Sequence, residues 1–104
     1  MKILSISSMD EFLRRHPNRL PVKIDEESDV GIDRRKYLIP REMTLGNFIT
    51  YLRTRVDLEP HEAMFVLIGG ILPPISSTIE TLYIEHVAED RLLHIVLKKE
   101  NTFG

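Results

Sequence analysis

The chain has no cysteine among its 104 residues. That one absence removes a disulfide framework, a thiolate metal site and a cysteine nucleophile together, and it fits a reducing compartment. No apolar run approaches the ~20 residues of a bilayer-spanning helix. The opening Met1-Lys2-Ile3-Leu4-Ser5-Ile6 is too short for the apolar core of a secretory signal. Any attachment to a membrane must therefore be acquired. Charge of one sign is also missing: 14 Lys and Arg against 16 Asp and Glu leave a formal charge of -2, which argues against a general nucleic-acid binder. His16, His61, His86 and His94 are scattered without metal-ligand spacing, and no H-E-x-x-H, G-x-S-x-G or phosphate loop occurs. His86, Glu89 and Asp90 read as a helix end, and the pair Glu26-Glu27 sits in a loop without a partner. Nothing assembles a nucleophile, a base and an orienting group, so the chain reads as non-catalytic and without a cofactor. Internal repeats and low-complexity tracts are absent.

What is present is enough chain for one compact domain. Ser8-Met9-Asp10-Glu11 has the form of a capping box, which predicts a short helix with Met9, Phe12 and Leu13 on its docking face, stopped before Pro17. Leu20, Val22 and Ile24 alternate with Pro21, Lys23 and Asp25, the period of a half-buried strand. Pro21 then belongs at the strand's start or where no ladder partner faces it. Residues 25–31 read as a loop into a second strand, Arg35 to Ile39, closed by Pro40. Its basic entry and proline exit mark an edge.

Thr44 can cap a helix whose apolar positions are Leu45, Phe48, Ile49, Leu52 and Val56, ending at Leu58-Glu59-Pro60. Ala63 to Ile68 is a buried-strand candidate, and Gly69-Gly70 turns it into a short Ile71-Leu72 strand before Pro73-Pro74. Ser77-Thr78-Ile79-Glu80 is a second capping box, opening a helix with Ile79, Leu82 and Tyr83 on its buried face. Leu92 to Leu97 is the last strand, apolar on both sides and so placed in the sheet's middle beside the first. The fold class that follows is α+β: a ubiquitin-like β-grasp with a four-stranded mixed sheet, packed helices and one short N-terminal helix added. The crossover to the last strand is expected to be right-handed. Residues 1–19 form an N-terminal extension, 20–99 the β-grasp domain and 100–104 an extended tail.

That tail, Glu100-Asn101-Thr102-Phe103-Gly104, ends in a carboxylate with no Cβ beside it, open to another enzyme's narrow active site. Together with Lys36-Tyr37-Leu38-Ile39-Pro40, Thr44-Leu45-Gly46-Asn47-Phe48, Leu72-Pro73-Pro74 and Tyr83-Ile84-Glu85-His86, it resembles the successive motifs of the Atg8 family, the LC3 and GABARAP type of autophagy ubiquitin-like modifier. The resemblance runs from about Glu11 to the last residue. It implies a modifier whose Gly104, with Thr102 and Phe103 recognised beside it, is activated by an E1-like enzyme and passed through an E2-like cysteine. Gly104 is then joined to phosphatidylethanolamine on autophagosomal membranes. The two acyl chains of that lipid would hold a cytoplasmic domain stably at a bilayer. A cysteine protease reverses the lipidation, and in most members it also removes residues beyond the glycine; this chain already stops at Gly104. The internal Gly69-Gly70 does not compete, because its carbonyl is tied up in a peptide bond.

The resemblance further implies binding of cargo receptors with an aromatic-x-x-aliphatic motif, added as a strand to the sheet edge. By position, the aromatic pocket would use Glu11, Pro21, Lys23, Lys36, Leu38 and Leu92. The aliphatic pocket would use Tyr37, Ile39, Pro40, Met43, Phe48, Tyr51 and Leu52. Alternation supports the division, since Lys36 and Leu38 share one face and Tyr37 and Ile39 the other. Arg34, Arg35, Arg53 and Arg55 would attract acidic flanks. A third family surface, around Phe65 and Leu67, docks helical ligands in some members.

Three positions depart from the family pattern. Lys23 stands where a second aliphatic is usual, Leu92 where phenylalanine is, and Tyr51 where a smaller aliphatic is. A shallower aromatic pocket, a narrowed aliphatic one and an altered peptide preference are expected. The N-terminus has room for one helix where the family has two. Two other readings stay open: a modifier joined to a protein lysine, as in the Atg12 branch, and a peptide-binding module never conjugated at all.

Overall fold

The computed structural model describes residues 6–101. A four-stranded mixed sheet has the order β3 (Lys36–Pro40), β1 (Arg19–Ile24), β6 (Leu93–Asn101), β5 (Glu62–Leu67). β1 pairs antiparallel with β3 and parallel with β6, while β5 pairs antiparallel with β6. The last strand is therefore central and beside the first, as its apolar faces imply. Three helices complete the α+β layer: α1 (Ile6–Arg15), α2 (Leu45–Arg53) and α3 (Ile79–His86).

Alternation makes one face of the sheet the core, with Pro21 the buried exception on the outer face of β1. Leu20, Val22 and Ile24 of β1 point inward with Tyr37 and Ile39 of β3, Leu93, Ile95 and Leu97 of β6, and Met64 and Val66 of β5. Leu45, Phe48 and Leu52 of α2 and Ile79 and Leu82 of α3 close over them. Burying each such side chain is worth about 1.5–3 kcal/mol, and no charged or polar residue shares this interior among the described residues.

Pro21 is tolerated within the sheet for a reason that hydrogen bonding shows. Ile24 N–H donates to Arg35 on the β3 side, and Asp25 N–H donates to Ile95 on the β6 side. Four residues back from Asp25, and so on the same side by parity, the nitrogen of Pro21 faces β6 just before that ladder begins at Val22 and Leu93. Its missing N–H therefore breaks nothing.

Several local boundaries differ from the sequence expectation. α1 already begins at Ile6, so Ser8 sits inside the helix rather than at its cap, and Glu11 pairs one turn on with Arg15 at 2.8 Å. The cap of α3 is Thr78, not Ser77: its hydroxyl accepts from Thr81 N–H at 3.2 Å, which puts Glu80 one position too early for a box. α2 stops at Arg53, and Val56 belongs to a two-residue strand β4 (Val56–Asp57), paired antiparallel with β2 (Gly31–Ile32) inside the expected loop. Ile71 makes only a single bridge to Ile68 across Gly69-Gly70, both of which have the positive φ that this two-residue turn requires. β6 runs on through Glu100 to Asn101, which pairs with Glu62. The expected tail thus surrenders its first two residues to the sheet, with a Lys99–Glu62 ion pair at 3.6 Å bracing them. Residues 102–104 lie outside the described residues.

Candidate functional site

β3 is the sheet's edge on one side, and its free backbone groups can be assigned by parity. Since Ile24 bonds to Arg35, the pairs Val22 with Tyr37 and Leu20 with Ile39 are of the same hydrogen-bonded kind. The N–H and C=O groups of Lys36 and Leu38 therefore point away from β1, along the open edge. These are the donors and acceptors outside the ladder that an added strand needs, with the Leu38 carbonyl held meanwhile by Arg19 Nη1.

The edge is held in place from behind. Backbone N–H groups at the start of α2, Leu45 and Gly46, donate to the carbonyls of Ser77 and Ile75, and those of Ile79 and Glu80 at the start of α3 donate back to Met43 and Arg41. Each helix start satisfies its orphan donors on the loop leading to the other. The exchange fixes Pro40 and Met43 relative to α2.

A groove of about 1000 Å³ wraps over this edge. On the sheet's outer face it is lined by Pro21, Lys23, Lys36, Leu38 and Leu92, five of the six residues expected of an aromatic pocket. Beneath the edge it is lined by Tyr37, Ile39, Pro40, Met43, Phe48 and Tyr51, six of the seven expected of an aliphatic pocket. The ring of Phe48 meets Tyr37 edge-on at 5.7 Å and stacks with Tyr51 at 6.5 Å. Tyr51, 40% exposed, also meets Tyr37 edge-on at 6.0 Å and so forms the lower wall. Burial pushes the Tyr37 hydroxyl up from its ordinary pKa, and it donates to the Arg34 carbonyl at 2.8 Å.

Other expected residues go elsewhere. Glu11 is exposed and paired with Arg15, and does not line the groove. Leu52 is fully buried in the core. Among the expected charge contacts only Arg34 lines the groove. Arg35 donates to the Asp25 carbonyl at 2.9 Å and stabilises the hairpin instead. The Arg55 guanidinium lies 5.7 Å over the Tyr51 ring, with Asp33 at 4.0 Å. Arg53 and Phe65 line a second hollow of about 350 Å³ between α2 and β5. Leu67, half-buried, is not among that hollow's lining residues. Thr102, Phe103 and Gly104 lie outside the described residues.

The chain matches a family model described as "Autophagy protein Atg8 ubiquitin like" over residues 6–104. It belongs to the Atg8 family. Atg8 of Schizosaccharomyces pombe is 42% identical over 93 residues, covering 86% of this chain and 77% of that one. The crystal structure of Trypanosoma brucei ATG8 superposes with a TM-score of 0.78 at 36% identity, over 95% of this chain and 88% of that one. Plasmodium falciparum Atg8, solved in complex with a Plasmodium falciparum Atg3 peptide, shares the fold with a TM-score of 0.73 at 20% identity, over 91% and 85% of the two chains. The β-grasp reading is borne out, and the chain is a ubiquitin-like protein of autophagy. Among the described residues of this Atg8-family member, no helix is long and apolar enough to cross a membrane.

Four lining residues escaped the sequence reading: Phe12, Arg19, Val22 and Asp90. Phe12 had a signal, its place on the apolar face of α1, but that said only that it docks. Arg19 and Asp90 had none, since one lies just before the strand expected from Leu20 and the other sits in a turn. Asp90 accepts from Leu92 N–H at 2.9 Å and meets His94 Nε2 at 2.7 Å. Burial works against its charged form, but these two contacts prevail and hold its carboxyl below the ordinary carboxylate value.

Proposed function

We infer that this Atg8-family chain is a conjugated autophagy modifier that also presents a docking edge for receptor peptides. The observation that carries the docking half is the unpaired edge of β3 with a lined groove on both of its faces. A peptide adding there would be held by backbone bonds to Lys36 and Leu38. Side chains three positions apart, and so on opposite faces of the added strand, would enter the upper and lower parts of the groove, an aromatic one against Pro21, Leu38 and Leu92, an aliphatic one against Ile39, Met43 and Phe48. Arg34, with Lys36, would favour acidic flanks. The departures at Lys23, Tyr51 and Leu92 would shift peptide preference away from the common family ranking.

The conjugation half rests on the family match reaching residue 104. An E1-like enzyme would adenylate the Gly104 carboxylate, an E2-like cysteine would take the acyl group as a thioester, and the amine of phosphatidylethanolamine would displace the thiolate to form an amide. The Atg3 peptide bound to the Plasmodium falciparum protein supports counting an Atg3-like enzyme among the partners. A cysteine protease would hydrolyse the amide. The chain would then be cytoplasmic when free and on autophagosomal membrane when lipidated.

Deletion of Gly104 tests this. Membrane association in starved cells is expected to vanish, together with a faster-migrating gel species that phospholipase D removes from the intact chain. Membrane association that survives the deletion overturns conjugation. A conjugate that resists phospholipase D points to a protein lysine, as in the Atg12 branch.

A further inference from the structure

Lys23 of β1 lies directly opposite Lys36 of β3. Because 24 and 35 form a hydrogen-bonded pair, the 23 and 36 pair is of the intervening kind, in which side chains stand closest. Two ammonium groups facing each other there destabilise the sheet. Both side chains line the groove, and among the described residues neither forms a salt bridge or side-chain hydrogen bond, although the Lys23 charge does act on Asp90. On β6 the neighbour of Lys23 is His94, already turned toward Asp90 and Asp25 at 2.7 and 3.7 Å.

Apart from Arg19, itself a donor, the walls beside these lysines are apolar: Phe12, Pro21, Leu38 and Leu92. Asp90 is the groove's one carboxylate among the described residues, and each of its oxygens is engaged, by Leu92 N–H and by His94. The Leu38 carbonyl is also taken, by Arg19 Nη1 at 3.1 Å. A ring entering from solvent therefore meets spare donors and little spare acceptor capacity. Lysine only donates; the indole N–H of tryptophan also only donates, phenylalanine does neither, and the tyrosine oxygen accepts.

We propose that Lys23 is a specificity-determining residue that makes tyrosine the preferred aromatic anchor of this groove, its phenolic oxygen accepting from the Lys23 ammonium. The inference rests on the strand-addition reading above. Lys23 rather than Lys36 fills the role because β1 is flanked by β3 and β6, while Lys36 stands on the open edge strand. Tryptophan would place its donor among donors and leave it unmet.

Three peptides identical except for Trp, Tyr or Phe at the anchor are titrated calorimetrically into the full chain and into Lys23→Ile and Lys23→Arg. The intact chain is expected to bind the Tyr peptide about fivefold more tightly than the Trp peptide. Lys23→Arg keeps that order, and Lys23→Ile, which suits a strand, reverses it. A Trp peptide that binds more tightly than Tyr to the intact chain, or a ratio unmoved by Lys23→Ile, overturns the proposal while leaving strand addition standing. Failure of all three peptides to bind removes both.

Discussion

The Arg19 guanidinium donates from Nη1 to the Leu38 carbonyl at 3.1 Å, and parity places that carbonyl on the open edge of β3. An exposed edge is a template for unwanted pairing, and charge beside it is one common protection. Here the protection is specific: Arg19 fills the acceptor that an incoming strand would use. A peptide must displace it, and the same long side chain remains in the groove as a cation afterwards.

Arg19→Ala therefore acts in opposite directions on two kinds of peptide. For a motif peptide without acidic residues, the acceptor is already free, and affinity is expected to rise by about two- to tenfold, the worth of one net hydrogen bond. For an acidic peptide the lost cation offsets that gain. Calorimetry with the two peptides, read as the ratio of their affinities, checks this. A fall for the uncharged peptide would show that Arg19 assists binding rather than competing with it.

Leu38 separates backbone from side-chain contributions. Its N–H points off the sheet, so Leu38→Pro removes no ladder bond, and Tyr37 before it is already extended, as a residue preceding proline prefers. Leu38→Ala trims the pocket and should weaken peptide binding a few-fold. Leu38→Pro should weaken it by about a further tenfold, because the peptide carbonyl loses its donor, while the two variants unfold at similar denaturant concentrations. Equal binding by both would exclude backbone pairing at this residue.

The sequence carried the architecture wherever burial imposes a period. Leu20, Val22 and Ile24 had to share a face, Leu45, Phe48 and Leu52 had to share a helix stripe, and the doubly apolar last strand had to be central. It carried less where two local rules compete. Ser77 and Thr78 are both good caps, and only the exchange of hydrogen bonds with residues 41 and 43 selects Thr78. Val56 continues the helical spacing of Leu52, yet Thr54 ends α2 by bonding back to Tyr51 and Leu52, which releases Val56 to pair with Ile32. Asn101 reads as tail because it is polar, and pairing with Glu62 makes it strand. Arg19 and Asp90 were illegible in the groove because long-range register, not local pattern, brings them there.

Leu52 illustrates the difference between a helix face and a pocket wall. It is fully buried under the sheet, whereas its neighbour Tyr51 lines the groove. Leu52→Ala is expected to lower stability by about 2–5 kcal/mol through cavity formation. The fraction that remains folded should bind motif peptides within about twofold of the intact chain, since Leu52 is not among the groove's lining residues. Tyr51→Ala should do the reverse, changing affinity at small cost in stability. Equilibrium urea unfolding paired with calorimetry distinguishes them, and a large affinity loss in Leu52→Ala would return that residue to the pocket.

Asp90 gives the acid limb of stability a definite sign. Its carboxyl is held below the ordinary value despite burial, so the folded state binds a proton less readily than the unfolded chain. The stabilisation is complete above the unfolded-state value, near pH 4, and drains away as pH falls through the lower folded value. The side chain is 49% exposed, so solvent screening keeps the effect small. Asp90→Asn retains an acceptor for Leu92 N–H but cannot take up the proton. Its urea midpoint should lie below that of the intact chain at pH 7, and the gap should narrow between about pH 4 and pH 2. Parallel midpoints across that range would mean that the Leu92 and His94 contacts do not favour the charged carboxylate, and that the groove's one acid is spare to meet a ligand donor after all.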